Sequence, residues 1–186
     1  MTRLISNLLM IVGSSFLIIS AFFLWERVNP ERLKFENVEE FLNNGGQEKS
    51  IRPVFLEIKD LKINLPIYEA EIIKGRWQAT TKGISYLSSS GIPGEVGNSI
   101  LYSHNWSSLL GPLTKAKPGQ KIIITFDNGR KEKFVVEHTQ EVGTDNTEIL
   151  SQTEDSRLTL YTCSGFLDTK RFVVSAFPVK DQDETF

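Results

Sequence analysis

The chain has 186 residues, with 21 Lys+Arg against 23 Asp+Glu and a formal net charge of −2 at pH 7, so no basic excess exists to neutralise phosphates and nucleic acid is set aside as a partner. A single cysteine excludes an intramolecular disulfide, and with two histidines a Cys/His-rich structural zinc site cannot be assembled from one copy. A hydrophobic fraction of 40% and a charged fraction of 24% are those of an ordinary globular protein of about one domain.

Residues Leu4 to Trp25 form a run of 22 without a charge. As a helix the run spans about 33 Å at roughly 1.5 Å per residue, enough for a hydrocarbon core of about 30 Å. It exceeds the apolar stretch of a cleaved signal peptide and no A-x-A-like site follows it, so residues 1–25 are read as an uncleaved transmembrane signal-anchor. Phe22, Phe23 and Trp25 suit one membrane interface. Orientation does not follow from charge: Arg3 alone precedes the segment, whereas Arg27, Arg32 and Lys34 follow it.

Residues 26–50 read as a juxtamembrane linker with a short amphipathic helix. Asn29 is a capping residue, Pro30 suits the first helical turn, and Gly45-Gly46 ends the pattern, predicting a helix from Pro30 to about Asn43. Val38, Phe41 and Leu42 lie at i, i+3 and i+4, so their stripe either docks on the following domain or belongs to a solvated spacer.

From Ile51 onward the pattern changes to short β-rich runs broken by Gly, Pro, Asn and Asp: IRPVFLEI, INLPIY, NSILYSH, KIIITF, EKFVVEHTQEV, SRLTLYTC and RFVVSAFPV. Seven or eight strands are expected, with Asp127-Asn128-Gly129-Arg130 as a hairpin turn. The stretches Trp77 to Ser89 and Thr147 to Ser151 read as helical or loop-like. Residues 51–186 suffice for one closed β-barrel, which leaves no sheet edge exposed.

Within this domain Cys163 ends the strand RLTLYTC. Alternation puts Thr159, Tyr161 and Cys163 on one face and Leu158, Leu160 and Thr162 on the other. With the leucines in the core, Cys163 is expected on the accessible side. His104 ends the run GNSILYSH, where a strand terminus projects a polar ring from a rigid scaffold. His138, inside EKFVVEHTQEV, is expected on the inward face with Phe134 and Val136 as a structural histidine. Arg171 opens the last strand, eight residues beyond Cys163. An antiparallel return brings its guanidinium to the same strand end as the thiol, and its planar fork of donors suits a carbonyl or oxyanion better than neighbouring Lys170 does.

These residues resemble the sortases, cysteine transpeptidases that join surface proteins to cell-wall precursors or to each other. LTLYTC is similar to the TLxTC strand that carries their nucleophile, GNSILYSHN to their GN-x-apolar-apolar-x-GH segment with Ser103 in place of Gly, and Arg171 to their essential arginine. LPIY at Leu65, GIPGEVGN and GPLTKAKPGQKI extend the likeness over roughly residues 51 to 180. The resemblance implies an eight-stranded sortase barrel with His104, Cys163 and Arg171 as catalytic residues and Tyr161, Thr162 and Asn105 as substrate-binding residues. It implies an N-terminally anchored class of A, D or E type, and an N-terminal anchor without a C-terminal hydrophobic segment argues against the pilus-polymerising class.

The implied chemistry is cleavage of an LPxTG-like sorting signal between Thr and Gly through a thioester. Transfer follows to an amine of a peptidoglycan precursor or a pilin lysine, with slow hydrolysis as a side reaction. Such partners lie outside the cytoplasmic membrane, so the catalytic domain is expected to be extracytoplasmic. No metal or organic cofactor is required, and although some sortases use calcium, the acidic residues here form no assignable ligand series. Two other classes compete. A papain-like hydrolase would place Cys ahead of His and at a helix start, opposite to the order here. A noncatalytic, membrane-tethered β-barrel that binds peptides or glycans would use Cys163 and His104 only for packing.

Overall fold

The computed structural model describes residues 2–36, 51–73 and 76–179. The apolar run forms one helix, α1 (Thr2–Arg27), whose span Ile5–Glu26 is long and apolar enough to cross a membrane and is unburied by protein. Asn29 then caps a single 3-10 turn, Pro30–Leu33, its side chain accepting the Glu31 amide hydrogen bond at 3.0 Å. Of the helix expected over Pro30 to Asn43, this turn is the described part, and the backbone at Lys34 is already extended (φ −68°, ψ 150°). Val38, Phe41 and Leu42 lie outside the described residues.

The rest is β structure: β1 (Pro53–Ile58), β2 (Ile63–Ala70), β3 (Ile72–Ile73), β4 (Arg76–Trp77), β5 (Ile84–Leu87), β6 (Gly97–Tyr102), β7 (Lys121–Phe126), β8 (Lys131–Gly143), β9 (Ser156–Ser164) and β10 (Lys170–Pro178). Eight strands close a barrel in the order β1-β2-β5-β6-β9-β10-β8-β7, and β3 pairs with β4 outside it. The β7–β8 hairpin turns at Asp127–Arg130 as its sequence predicts, with Gly129 at φ 84°. The Thr147 to Ser151 stretch, read as helical or loop-like, forms a short 3-10 turn at Thr147–Leu150. The Trp77 to Ser89 stretch differs from expectation, because it contains β4's Trp77 and the barrel strand β5. All four β5 residues are buried, Ile84 and Tyr86 in one apolar layer and Leu87 in another, so the strand lacks the polar alternation that marks a half-buried one.

Those two layers organise the molecule. The barrel interior holds Leu56, Ile84, Leu101, Ile122, Phe134, Leu158, Leu160 and Val174. A second cluster lies on the outer face of β6, β9 and β10, where Ile100, Tyr102, Tyr161, Cys163 and Val173 meet Leu33 and Phe35 from the N-terminal segment and Trp77 from β4. His138 belongs to neither. A β-bulge opposite Ser175 and Ala176 inserts Glu137 and reverses the alternation, so the His138 side chain stays 73% exposed instead of joining Phe134 and Val136 inside.

The strand pair β6–β9 is parallel and in constant register, Gly97 facing Ser156 through Tyr102 facing Tyr161. Asn98, fully buried, secures the start of this pair. Its amide nitrogen donates to the Ile149 and Ser151 carbonyls at 2.9 and 3.1 Å, and its oxygen accepts from Thr159 Oγ1 at 2.7 Å. Asn98→Ala leaves the buried Thr159 hydroxyl and two part-buried carbonyls unmatched and is expected to destabilise the domain by about 1–3 kcal/mol, measured as a lowered urea midpoint of the full chain in detergent.

Candidate active site

Cys163, Arg171 and His104 arrive at one place because three neighbouring strands end there. In the antiparallel pair β9–β10, Cys163 and Arg171 face each other directly. In the parallel pair β6–β9, extending the observed register by two positions beyond Tyr102 and Tyr161 sets His104 beside Cys163. Hydrogen bonds carry that register past the last paired residues: Ser103 N donates to the Tyr161 carbonyl, and Thr162 Oγ1 donates to the Ser103 carbonyl at 2.8 Å. Ser103, where the resembled motif has glycine, donates from its hydroxyl to the Gly83 carbonyl at 2.7 Å.

The thiol is not accessible as expected. Leu158 and Leu160 do face the barrel interior and Cys163 the opposite side, but Cys163 is only 2% exposed. The covering element is the stretch Asn29–Glu36, laid across the outer face as a strap. Cys163 Sγ donates to the Arg32 carbonyl at 3.0 Å, Tyr161 Oη to the Leu33 carbonyl at 3.2 Å, and Arg171 Nη2 to the Lys34 carbonyl at 2.7 Å. Leu33 is fully buried, and Phe35 stands edge-on to Tyr161 with ring centroids 5.1 Å apart. Arg32 forms an ion pair with Asp168 at 3.1 Å, and Asp168 also accepts from Asn105 Nδ2 at 2.9 Å. Glu36 N, donating to the Thr144 carbonyl at 2.8 Å, fastens the far end.

The strap occupies the groove like a peptide held out of reactive register. Arg171, the candidate oxyanion donor, grips the Lys34 carbonyl, whereas the sulfur faces the oxygen of Arg32, two residues away. A thiolate must approach carbonyl carbon while the oxygen rests on donors. Neither strap carbonyl satisfies both conditions.

Residues 56–179 match the sortase domain. The chain belongs to the sortase family. It is 36% identical over 81 residues to sortase A of Listeria monocytogenes, covering 41% of this chain and 36% of the relative, and 30% identical over 129 residues to sortase A of Streptococcus agalactiae, covering 65% and 50%. The matches thus span between about a third and a half of these curated relatives' length. Among solved structures, Listeria sortase A superposes with a TM-score of 0.57 at 26% identity, over 69% of this chain and 89% of the other. A lid mutant of Corynebacterium diphtheriae sortase A gives a TM-score of 0.60 at 21% identity, over 80% and 83%, a likeness of fold.

In this sortase the buried setting favours the uncharged forms of both groups. Burial pushes the Cys163 thiol up to about 11, with Asp168 adding to the rise and the Arg171 and Arg32 guanidinium groups opposing it. Burial likewise holds His104 below the ordinary imidazole value; Asp168 opposes that shift and Arg32 reinforces it. Under the strap the pair is therefore neutral thiol and neutral imidazole. The His104 ring stacks on Trp106 with centroids 4.9 Å apart, and its Nε2 finds no hydrogen-bond partner among the described residues.

Of the other residues singled out in the sequence, Tyr161 floors the groove, Asn105 holds Asp168 at its rim, and Thr162 lies buried on the opposite strand face, bonded to Ser103. Missed altogether were Asp168, Arg32, Leu33 and Phe35. The apolar pair Leu33 and Phe35 at i, i+2 is an extended-chain signal that the helical reading passed over.

Two outcomes follow for the thiol. Leu33→Ala removes a fully buried side chain worth about 2–5 kcal/mol, so it is expected to open the strap and raise the iodoacetamide labelling rate of Cys163 at pH 7 by at least about tenfold without lowering the thermal stability of the barrel. Closure also depends on pH with a definite sign. A thiol raised above its ordinary 9.0 withdraws support for the closed state as pH climbs from 9 toward 11, and an imidazole lowered below 6.5 withdraws it as pH falls below 6.5. Hydrogen exchange at the Glu36 amide, corrected for intrinsic rates, is therefore expected to be slowest between about pH 7 and 9.

Proposed function

We propose that the chain is a membrane-anchored cysteine transpeptidase with its catalytic domain outside the cytoplasmic membrane, joining proteins that bear an LPxTG-like sorting signal to an amine of a cell-wall precursor or a pilin. The observation that supports this reading most is the placement of Cys163 on the strand between the one that leads to His104 and the one that Arg171 opens. With the strap withdrawn, Cys163 as thiolate attacks the carbonyl carbon between Thr and Gly, and Arg171 donates to the oxygen as negative charge develops there. The C–N bond breaks while His104, as imidazolium, protonates the departing glycine amine, leaving a thioester on Cys163. Neutral His104 then accepts a proton from the incoming amine, whose nitrogen displaces the sulfur to form the new amide. Water in place of the amine gives slow hydrolysis.

Tyr161 and Asn105 line the groove in this reading, while Thr162 holds the His104 strand against β9. The strap keeps the enzyme latent until a substrate or another influence displaces it, and the Corynebacterium relative solved as a lid mutant is in keeping with such a cover. A buried thiol is the observation that favours the second reading, a noncatalytic binding module. Mass spectrometry of the Leu33→Ala chain in detergent, incubated with LPxTG-like peptides and a small amine, separates the two. A peptide thioester on Cys163 that turns over to the amide is expected, absent in Cys163→Ala and slowed at least about hundredfold in His104→Ala. No adduct on the uncovered thiol would leave the binding module standing. Arg171→Lys is expected to lose more than about tenfold in turnover while the urea midpoint moves little, because only the donor fork changes.

A further inference from the structure

Phe166 and Leu167 form the tip of the turn between β9 and β10, and they are two consecutive bulky apolar side chains left 84% and 61% exposed. The backbone beneath them is strained: Leu167 and Asp168 both adopt left-handed conformations at φ 52° and 59°, which non-glycine residues rarely do. One contact from the strap and one from β10 hold the turn. Arg32 pairs with the Asp168 carboxylate and Arg171 Nη1 donates to the Asp168 carbonyl at 2.9 Å. An arrangement that holds two hydrophobes outward against conformational preference calls for an apolar environment at that spot.

The structure shows which surface is there. Leu167, Asp168, Arg32 and Arg171 line one cleft together with Phe22, Phe23 and Glu26 of α1. Phe22, Phe23 and Trp25 cluster at that end of the helix, with centroids 5.9 and 6.3 Å apart, as the aromatic belt of a membrane span does. Phe22 stands one helical turn, about 6 Å, inside Glu26, so a residue sharing its cleft lies at headgroup depth when α1 crosses a bilayer. We propose that the Phe166–Leu167 tip is seated in the interfacial layer of the same bilayer that α1 spans, giving the catalytic domain a second membrane contact and turning the mouth of the active site toward the lipid. The proposal rests on the reading of α1 as a membrane anchor, and its partner is the lipid interface, not a protein.

The test uses the full chain, with Cys163→Ser as background, reconstituted in vesicles of phosphatidylcholine and phosphatidylglycerol. A single cysteine is placed by Phe166→Cys, by Leu17→Cys in the middle of α1, or by Asn128→Cys in the β7–β8 turn at the far end of the barrel, and each is labelled with the environment-sensitive fluorophore NBD. The label at 166 is expected to emit to the blue of that at 128, to be quenched at least twofold more by lipid nitroxides near the headgroup, and to be protected from iodide, while the label at 17 is quenched best by deep nitroxides. A lipid-quenched label at 17 with a label at 166 as open to iodide as that at 128 would overturn the docking and leave the anchor intact. A label at 17 untouched by deep nitroxides would overturn the anchor and the docking with it.

Discussion

The hydrogen-bonded position of β9, parallel to β6 on one side and antiparallel to β10 on the other, is the constraint from which the site follows. Because side chains alternate strictly along a strand, a slip of one residue on either side would turn Cys163 into the barrel and Leu160 out of it. The alternation is defended twice. Leu158 and Leu160 need the interior, and Asn98 accepts from Thr159 of β9 while its amide nitrogen ties down the Ile149 and Ser151 carbonyls of the segment that leads into β9. A buried polar clamp of this kind specifies register more sharply than apolar packing alone, since its partners are fixed in direction.

The same outer face that presents the thiol is too apolar to be left wet. Tyr102 and Tyr161 stack with centroids 5.3 Å apart, Trp77 stands edge-on to Tyr102, and Val173 and Ile100 fill the remainder. The chain covers that surface with its own extended segment, through Leu33, Phe35 and the carbonyls of Arg32 to Lys34. The cover and the chemistry are coupled through one dielectric: the burial that seats Leu33 and Phe35 also keeps sulfur and imidazole uncharged. Asp168 is at once the contact point of Arg32 and Asn105 and a charge felt by His104 and Cys163.

Most of this architecture is readable in the residues. The membrane-length helix, seven of the eight barrel strands, the Asp127–Arg130 turn and the meeting of Cys163 with Arg171 all come from local patterns, namely apolar length, period-two alternation, turn chemistry and strand order. What escaped is non-local. The β5 strand is covered by apolar layers on both sides and so shows no alternation. The bulge that turns His138 outward is fixed by pairing with β10, not by its own neighbours. Asn29-Pro30 is a sound helix start, yet Leu33 and Phe35 find more burial by lying extended across Tyr161 than by entering a helix, so tertiary packing prevails over propensity.

The strap is covalently continuous with α1, and this has a mechanical consequence. With the groove filled, two residues separate the end of the helix from the first capped turn, so the barrel is moored at its own entrance. Once the groove is vacated, the 25 residues between Arg27 and Pro53 become line to be let out, up to about 80 Å at full stretch. Uncovering the sulfur and lengthening the leash are then a single movement.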